Sequence, residues 1–502
     1  MKLYIKLIFW TIVVIIVGCI GIYFYSYFYS SMKQNQKTYQ FDIFSLIPEN
    51  TKSILQVNNL DLFSRQLDEN VLKDFPNEKM FDWTKSLFRF ILPLKSEQKT
   101  FPGWGKGGIV ISFHDKGEVY YSRVRSGEIS VWKDMMENEI FPPFPPVVQN
   151  YEGMEILHYA LADNRFFSCV FKGGIFIGSF NGKLIEEVIS GWAKGTSIKN
   201  DPQFARIFDT AGKKALATLF YYVEKSDVPI QDTTVPDVGV EGWTSSDVSF
   251  SAGEICFLGY YLSNDAMHDF SASLGTLKPI SLLRSKLFPT ETVLRRSRVI
   301  DLKEISERKR ADESYSQKNI PVIKDLFLDH IKNELHVVYF KNAVKEDISK
   351  VYCLKVNQKG DFEKGLRNYP NIFVKERFFA IKNSDLLSNI FGNEFFTGRY
   401  QYYLSFFDDY AIISRSEEAL EIYLNNVAKK SADLEDTGLS RRDDPCHITV
   451  SGDLRKIYQY KKNSGLRFRG KAAKYPAFFS NRKIEIHLTK EDEFIFYYLV
   501  VK

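Results

Sequence analysis

A run of twenty-three uncharged residues near the amino terminus, Leu7–Tyr29, constrains this chain more than any other stretch of it. It reads LIFWTIVVIIVGCIGIYFYSYFY, mostly β-branched and aromatic. The hydrocarbon core of a bilayer, about 30 Å thick, needs roughly 20 apolar helical residues, so this length predicts a transmembrane helix. Lys2 and Lys6 ahead of it form the basic flank of a signal-anchor segment. Trp10 and Tyr23, Tyr25, Tyr27 and Tyr29 stand where amphipathic rings meet the two interfaces. A second reading draws on Ile16-Val17-Gly18-Cys19, which has the small-residue-then-cysteine form of a lipobox and makes Cys19 the alternative lipidation site. The apolar run continues to Tyr29, where a lipid-anchored chain would turn polar. The expectation is therefore a tail over 1–6, a single span over 7–29, a polar stalk over 30–40, and a large exported domain.

The remainder is too apolar for disorder: 44% of the 502 residues are hydrophobic and 26% charged. A net charge of +5 is a mild excess at this length and does not call for nucleic acid. Cys169, Cys256, Cys353 and Cys446 are widely scattered, three of them in apolar runs, which favours buried thiols and leaves room for up to two disulfides. No CxxC occurs.

Elements of mixed type follow one another. Lys73–Leu94 has an amphipathic helical pattern, and Ile109–Phe113 with Glu118–Val124 reads as a hairpin. The proline-rich stretch Phe141–Pro146 must be extended. Lys183–Trp192 predicts a helix with Leu184, Ile185, Val188, Ile189 and Trp192 on one side. The second half repeats this grammar. Leu46-Ile47-Pro48-x-x-Thr51 returns as Leu287-Phe288-Pro289-x-x-Thr292, and Phe171–Lys194 matches Phe407–Lys430 at a shift of 236 (Phe171 onto Phe407). That match sets Leu184 and Val188 on Leu420 and Leu424, with Ser416 and Glu417-Glu418 opening the second helix. The strand with Thr218 matches the one with Thr449. The expected fold class is α+β: an N-terminal transmembrane helix and a duplicated antiparallel-sheet-plus-helix ectodomain, copy 1 over 41–280 and copy 2 over 281–502.

The Leu46-Ile47-Pro48 turn with Thr51, Ile111-Ser112-Phe113-His114 before a hairpin, Tyr151-Glu152-Gly153-Met154-Glu155-Ile156, and the run from Phe171 to Asp201-Pro202-Gln203-Phe204 resemble the bacterial membrane-anchored family carrying domain of unknown function 3352. The resemblance spans most of 45–310 and, more weakly, the rest. It implies an anchored extracytoplasmic (periplasmic) protein of the bacterial cell membrane without an assigned activity, and it supplies no catalytic residues. Some relatives continue into a β-propeller; no such repeat is read here.

Chemistry-bearing motifs are few. Gly103–Gly108 lacks the strand–GxxxxGK[ST]–helix context of a phosphate loop, and neither GxSxG nor HExxH occurs. His330 and His336 straddle a helix-to-strand turn, but no two histidines stand at i, i+4. His114, beside Asp115, reads as a structural hydrogen-bonding residue. No catalytic, cofactor-binding or metal-binding residue is assigned, and no cofactor is expected. One stretch departs from the background: Arg455, Lys456, Lys461, Lys462, Arg467, Arg469, Lys471 and Lys474 carry no acidic residue among them and are interleaved with Tyr458, Tyr460 and Phe468. It is the candidate surface for an anionic partner, such as lipid headgroups, an acidic glycan or an acidic protein. These readings together predict a non-enzymatic binding or scaffolding protein of the bacterial envelope. The alternative is an envelope hydrolase acting on glycan or peptide.

Overall fold

The computed structural model describes most of residues 42–502. Outside the description lie 1–41, 67–107, 125–128, 141–143, 162–165, 225–229, 233–240, 265–273, 303–319, 431–443, 461–465, 469–481 and a few shorter stretches. Two compact units emerge: 1–64 with 82–205, and 65–81 with 206–502.

Unit 1 contains β1 (Ser53–Val57), β2 (Ile109–His114), β3 (Gly117–Arg123), β4 (Val147–Tyr151), β5 (Met154–Ala160), β6 (Phe166–Lys172) and β7 (Ile175–Ser179). They pair antiparallel in the order β1-β2-β3-β7-β6-β5-β4. Unit 2 contains β8 (Ala217–Val223), β9 (Ile230–Asp232), β10 (Gly242–Ser251), β11 (Glu254–Ser263), β12 (Thr292–Val299), β13 (Ile331–Asn342), β14 (Asp347–Val356) and β15 (Ile372–Lys375). It continues with β16 (Phe378–Ser384), β17 (Tyr400–Phe407), β18 (Tyr410–Ser414), β19 (Ile448–Asp453), β20 (Leu466–Phe468), β21 (Lys483–Glu491) and β22 (Phe494–Val501). Their antiparallel order is β8-β10-β11-β22-β21-β19-β12-β13-β14-β18-β17-β16-β15, with β9 and β20 paired apart.

The helices are short: α1 (Ile129–Met135), α2 (Gly182–Lys194), α3 (Pro202–Phe208), α4 (Ile320–His330), α5 (Lys359–Arg367), α6 (Leu386–Phe391), α7 (Glu417–Lys430) and α8 (Leu454–Gln459). In α2 the Asn181 carboxamide accepts the Lys183 N–H at 3.1 Å, and Gly195, at φ 70°, closes the helix through Thr196 N–H to Gly191 O at 2.9 Å. Leu184, Ile185, Val188 and Ile189 are buried on one side of it, each contributing about 1.5–3 kcal/mol by burial. In α7 the Ser416 hydroxyl accepts the Ala419 N–H at 3.2 Å, Glu417 and Glu418 occupy the positive end, and Leu420, Tyr423 and Val427 bury against Val338, Phe340 and Ile412.

The strand order runs through twice. The pattern β1-β2-β3-β7-β6-β5-β4 recurs as β12-β13-β14-β18-β17-β16-β15, and β8-β10-β11 recurs as β19-β21-β22. Small details recur with it. Thr51 N–H closes on Pro48 O at 3.2 Å, as Thr292 N–H does on Pro289 O at 2.9 Å. The Ser179 hydroxyl donates to Glu118 O and accepts Asn181 N–H, as the Ser414 hydroxyl donates to Lys350 O and accepts Ser416 N–H. Ser179 thus falls on Ser414, a shift of 235, one less than the apolar pattern suggested. With it, buried Leu184, Ile185 and Val188 fall on buried Ala419, Leu420 and Tyr423. The equivalent last strands of the two passes, β11 and β22, then pair with each other antiparallel.

Several expectations are corrected. In place of an α+β chain, twenty-two antiparallel strands dominate the described residues, and the longest described helix has 14 residues. Long hairpins outweigh the helices because β10–β11, β13–β14 and β21–β22 turn directly, through loops of a few residues. No helix among the described residues is long and apolar enough to cross a membrane; Leu7–Tyr29, with Cys19, lies outside them. The single-pass anchor, its signal-anchor reading and the periplasmic placement are corrected on that finding. Cys169, Cys256, Cys353 and Cys446 are free thiols, and the Lys73–Leu94 helix lies outside the described residues.

Gly259 of β11 leaves no room for a side chain against the β10 backbone. A Cβ there would stand 1.8 Å from Ser245 O, and the Tyr497 hydroxyl of β22 meets the Ser246 hydroxyl beside it. Gly259→Ala is expected to destabilise the chain by about 2 kcal/mol or more, read from urea unfolding midpoints. An unchanged midpoint would contradict this packing.

Candidate functional site

The densest concentration of buried ionisable groups lies on one face of the unit 2 sheet. Residues directly opposite on neighbouring strands share a face, and so do residues two apart on one strand. The register sets Ser297 of β12 opposite His336 of β13 and Thr449 of β19, and Thr449 opposite His487 of β21. One step along, Arg295 stands opposite Ser451, and Ser451 opposite Glu485. Glu334 lies two residues before His336 on β13. All eight side chains are buried.

Seven of the eight are bonded to a partner within the face. His336 Nδ1 lies 2.7 Å from the Ser297 hydroxyl and Nε2 lies 2.8 Å from Glu334 Oε1, which also accepts the Tyr410 hydroxyl at 2.8 Å. With the carboxylate at Nε2, that nitrogen carries the proton and Nδ1 accepts from Ser297. His487 Nε2 meets Glu485 Oε1 at 2.8 Å. Arg295 Nε donates to Ser451 Oγ at 2.5 Å, and its guanidinium stacks on Phe288, 4.7 Å from the ring centroid. Burial pushes the Arg295 guanidinium down, and Glu485 pulls it back towards the charged form. Phe288 also stands edge-on to His336, with centroids 5.6 Å apart.

Ser297–His336–Glu334 is a hydroxyl–imidazole–carboxylate chain, the kind of relay that activates a nucleophile. Here Ser297 is 1% exposed and His336 is 0% exposed, so a substrate carbonyl has no approach to the hydroxyl. What this arrangement does is satisfy buried polar groups whose burial alone would cost several kcal/mol.

The residues expected to carry function are distributed otherwise. Arg455 is exposed on α8; Lys456 donates from Nζ to Thr290 O at 3.2 Å, and Arg467 belongs to β20. Lys461, Lys462, Arg469, Lys471 and Lys474 lie outside the described residues. His330 bonds Leu326 O and stacks on Phe362, so it and His336 have separate partners. No group of three metal-ligating side chains occurs among the described residues. Reading the histidines singly missed Ser297, Glu334 and Glu485, and it set His336 beside His330 instead of beside them. The available signal was Glu-x-His, present at 334–336 and again at 485–487, which sets both groups on one side of a strand. A comparison with family models, curated proteins and solved structures finds no match to the chain.

His114 accepts or donates at Nε2 to Ser112 Oγ at 2.8 Å, while Nδ1 is buried without a partner. Burial pushes its pKa from 6.5 down to about 4, with Asp115 opposing weakly. The fold therefore favours neutral imidazole. Below pH 6.5 the unfolded chain takes up a proton that the folded chain refuses until about pH 4, so stability falls with falling pH across that window. His114→Gln is expected to flatten that part of the profile, measured as urea midpoints at about pH 7 and about pH 4.5. Equal losses in both proteins would contradict the assignment.

Proposed function

We propose that the chain is a non-enzymatic binding or scaffolding protein. The observation that carries the reading is the sealing of the Ser297–His336–Glu334–Tyr410 chain: its polar atoms are engaged with one another, and its hydroxyl is closed to solvent. Ionisable groups used in this way hold a sheet interior together and leave its outer surfaces for recognition. Protein, lipid headgroup and acidic glycan partners belong to the same proposal. So does membership of the family carrying domain of unknown function 3352, supported by the Leu46-Ile47-Pro48 turn with Thr51. The competing reading, a hydrolase of glycan or peptide, draws on the same hydroxyl–imidazole–carboxylate chain.

A fluorophosphonate probe separates the two, since it reacts covalently with activated serine hydroxyls. The intact folded chain is expected to show no labelling that Ser297→Ala removes. Labelling of Ser297 that also depends on His336 would overturn the proposal in favour of the hydrolase.

A further inference from the structure

Each pass of the strand order ends in an edge strand, β4 in the first and its equivalent β15 in the second. Among the described residues β4 pairs only with β5, and β15 only with β16, so each leaves one side of its backbone without a neighbouring strand. Such an edge is a template for a further strand. Both edges also present large apolar side chains to solvent. Val147 and Val148 of β4 are 63% and 57% exposed, and Phe144 just ahead of them is 65% exposed. Phe373 and Val374 of β15 are each 46% exposed. Successive residues of a strand point to opposite faces, so each edge shows an apolar side chain on both.

The two edges carry opposite charge. The hairpin 147–160 holds Glu152 and Glu155 and no lysine or arginine. Glu155 stands opposite Asn150, and Glu186 of α2 accepts the Gln149 carboxamide at 3.0 Å, so a carboxylate flanks β4 on each face. Glu152 lies in the turn and accepts the Ser190 hydroxyl at 2.9 Å. Glu152 and Glu155 are exposed, and neither meets a cation among the described residues.

The hairpin 372–384 holds Lys375, Arg377 and Lys382 against one carboxylate, Glu376. Lys375 is paired with Glu417 at 2.9 Å. Lys382 Nζ lies 4.2 Å from the Phe373 ring centroid. On the other face, the Arg367 guanidinium of α5 lies 5.4 Å from the centroid of Phe379, the residue opposite Val374. A cation therefore flanks β15 on each face. Arg367, Arg377 and Lys382 are exposed, and no carboxylate neutralises them among the described residues.

We propose that β4 of one copy of the chain pairs edge to edge with β15 of a second copy. The open main-chain groups of each strand then find partners, and the charge decides which edges meet. Two β4 edges, or two β15 edges, would bring like charges together, whereas β4 against β15 sets carboxylates beside ammonium and guanidinium groups. The contact is heterologous: a copy that uses its β4 keeps its β15, so assembly continues past the dimer. This inference rests on the reading of the chain as a binding or scaffolding protein and gives that reading a partner.

The test is sedimentation velocity of the intact chain over a concentration series at low and high sodium chloride. Species larger than a dimer should grow with concentration and shrink with salt. Glu152→Lys with Glu155→Lys makes both edges basic, and Arg377→Glu with Lys382→Glu makes both acidic. Each double variant alone should associate about tenfold more weakly or less still, because like charges now meet. An equal mixture of the two should recover assembly, since the basic β4 of one fits the acidic β15 of the other. Glu155→Gln and Lys382→Gln, which introduce no new charge at these exposed positions, should each weaken association a few-fold. A chain that stays monomeric throughout overturns the proposal, as does assembly that both double variants keep. Loss in one double variant alone assigns the contact to two copies of the same edge and overturns the β4–β15 pairing, and so does loss in both that mixing fails to recover. Any such failure leaves the binding reading standing, because only Ser297-dependent labelling decides that.

Discussion

Burying two glutamates, two histidines and an arginine on one face of an antiparallel sheet is tolerated only because each meets a partner on its own or the next strand. Ser297 answers His336 across β12 and β13, Glu334 binds both His336 and Tyr410, and Ser451 answers Arg295 across β12 and β19. A one-residue slip of β12 against β13 would turn the Ser297 hydroxyl to the other face and leave the imidazole and the carboxylate facing apolar neighbours. The polar row therefore specifies register as well as contributing stability. The apolar core under α7, where Val338, Phe340, Cys353 and Ile412 share that face, inherits its alignment from the row.

The two passes show one backbone order fitted with different chemistry. Thr218 and Asp247 occupy in the first pass the places of Thr449 and His487 in the second, and the Thr218 hydroxyl donates to Asp247 at 3.1 Å. Burial pushes the Asp247 carboxyl up, with Thr218 and the Gly212 backbone opposing. Glu118 and Tyr120 form an internal pair where Lys350, Arg415 and Tyr352 stand in the second pass. The serines that fix strand to helix, Ser179 and Ser414, keep the same bonds in both. What recurs is the part that sets the frame, and what differs is the set of side chains that fill it.

Much of that frame was legible in the chain. The Leu46-Ile47-Pro48 and Leu287-Phe288-Pro289 turns, the hairpin through Asp115-Lys116 and the caps of α2 and α7 follow from residues within a few positions of one another. Their chemistry is local. The polar row was not legible, because Ser297 and His336 lie about forty residues apart in sequence, and only strand register unites them. The one-residue error in aligning α2 with α7 has the same root: apolar helix patterns tolerate a slip, whereas the Ser179 and Ser414 hydroxyls do not. The weight given to helices failed because strands such as Ile175–Ser179 and Tyr410–Ser414 are buried on both faces and lack period-two alternation.

The most direct test of this account is a double-mutant cycle on Glu334 and His336, measured by urea unfolding of Glu334→Ala, His336→Ala and the double variant. A structural lock predicts that either single change costs about 3 kcal/mol, since each leaves a buried partner unsatisfied. It also predicts that the second change costs much less than the first, a coupling of about 1–3 kcal/mol. Single variants as stable as the parent, with coupling near zero, would contradict it.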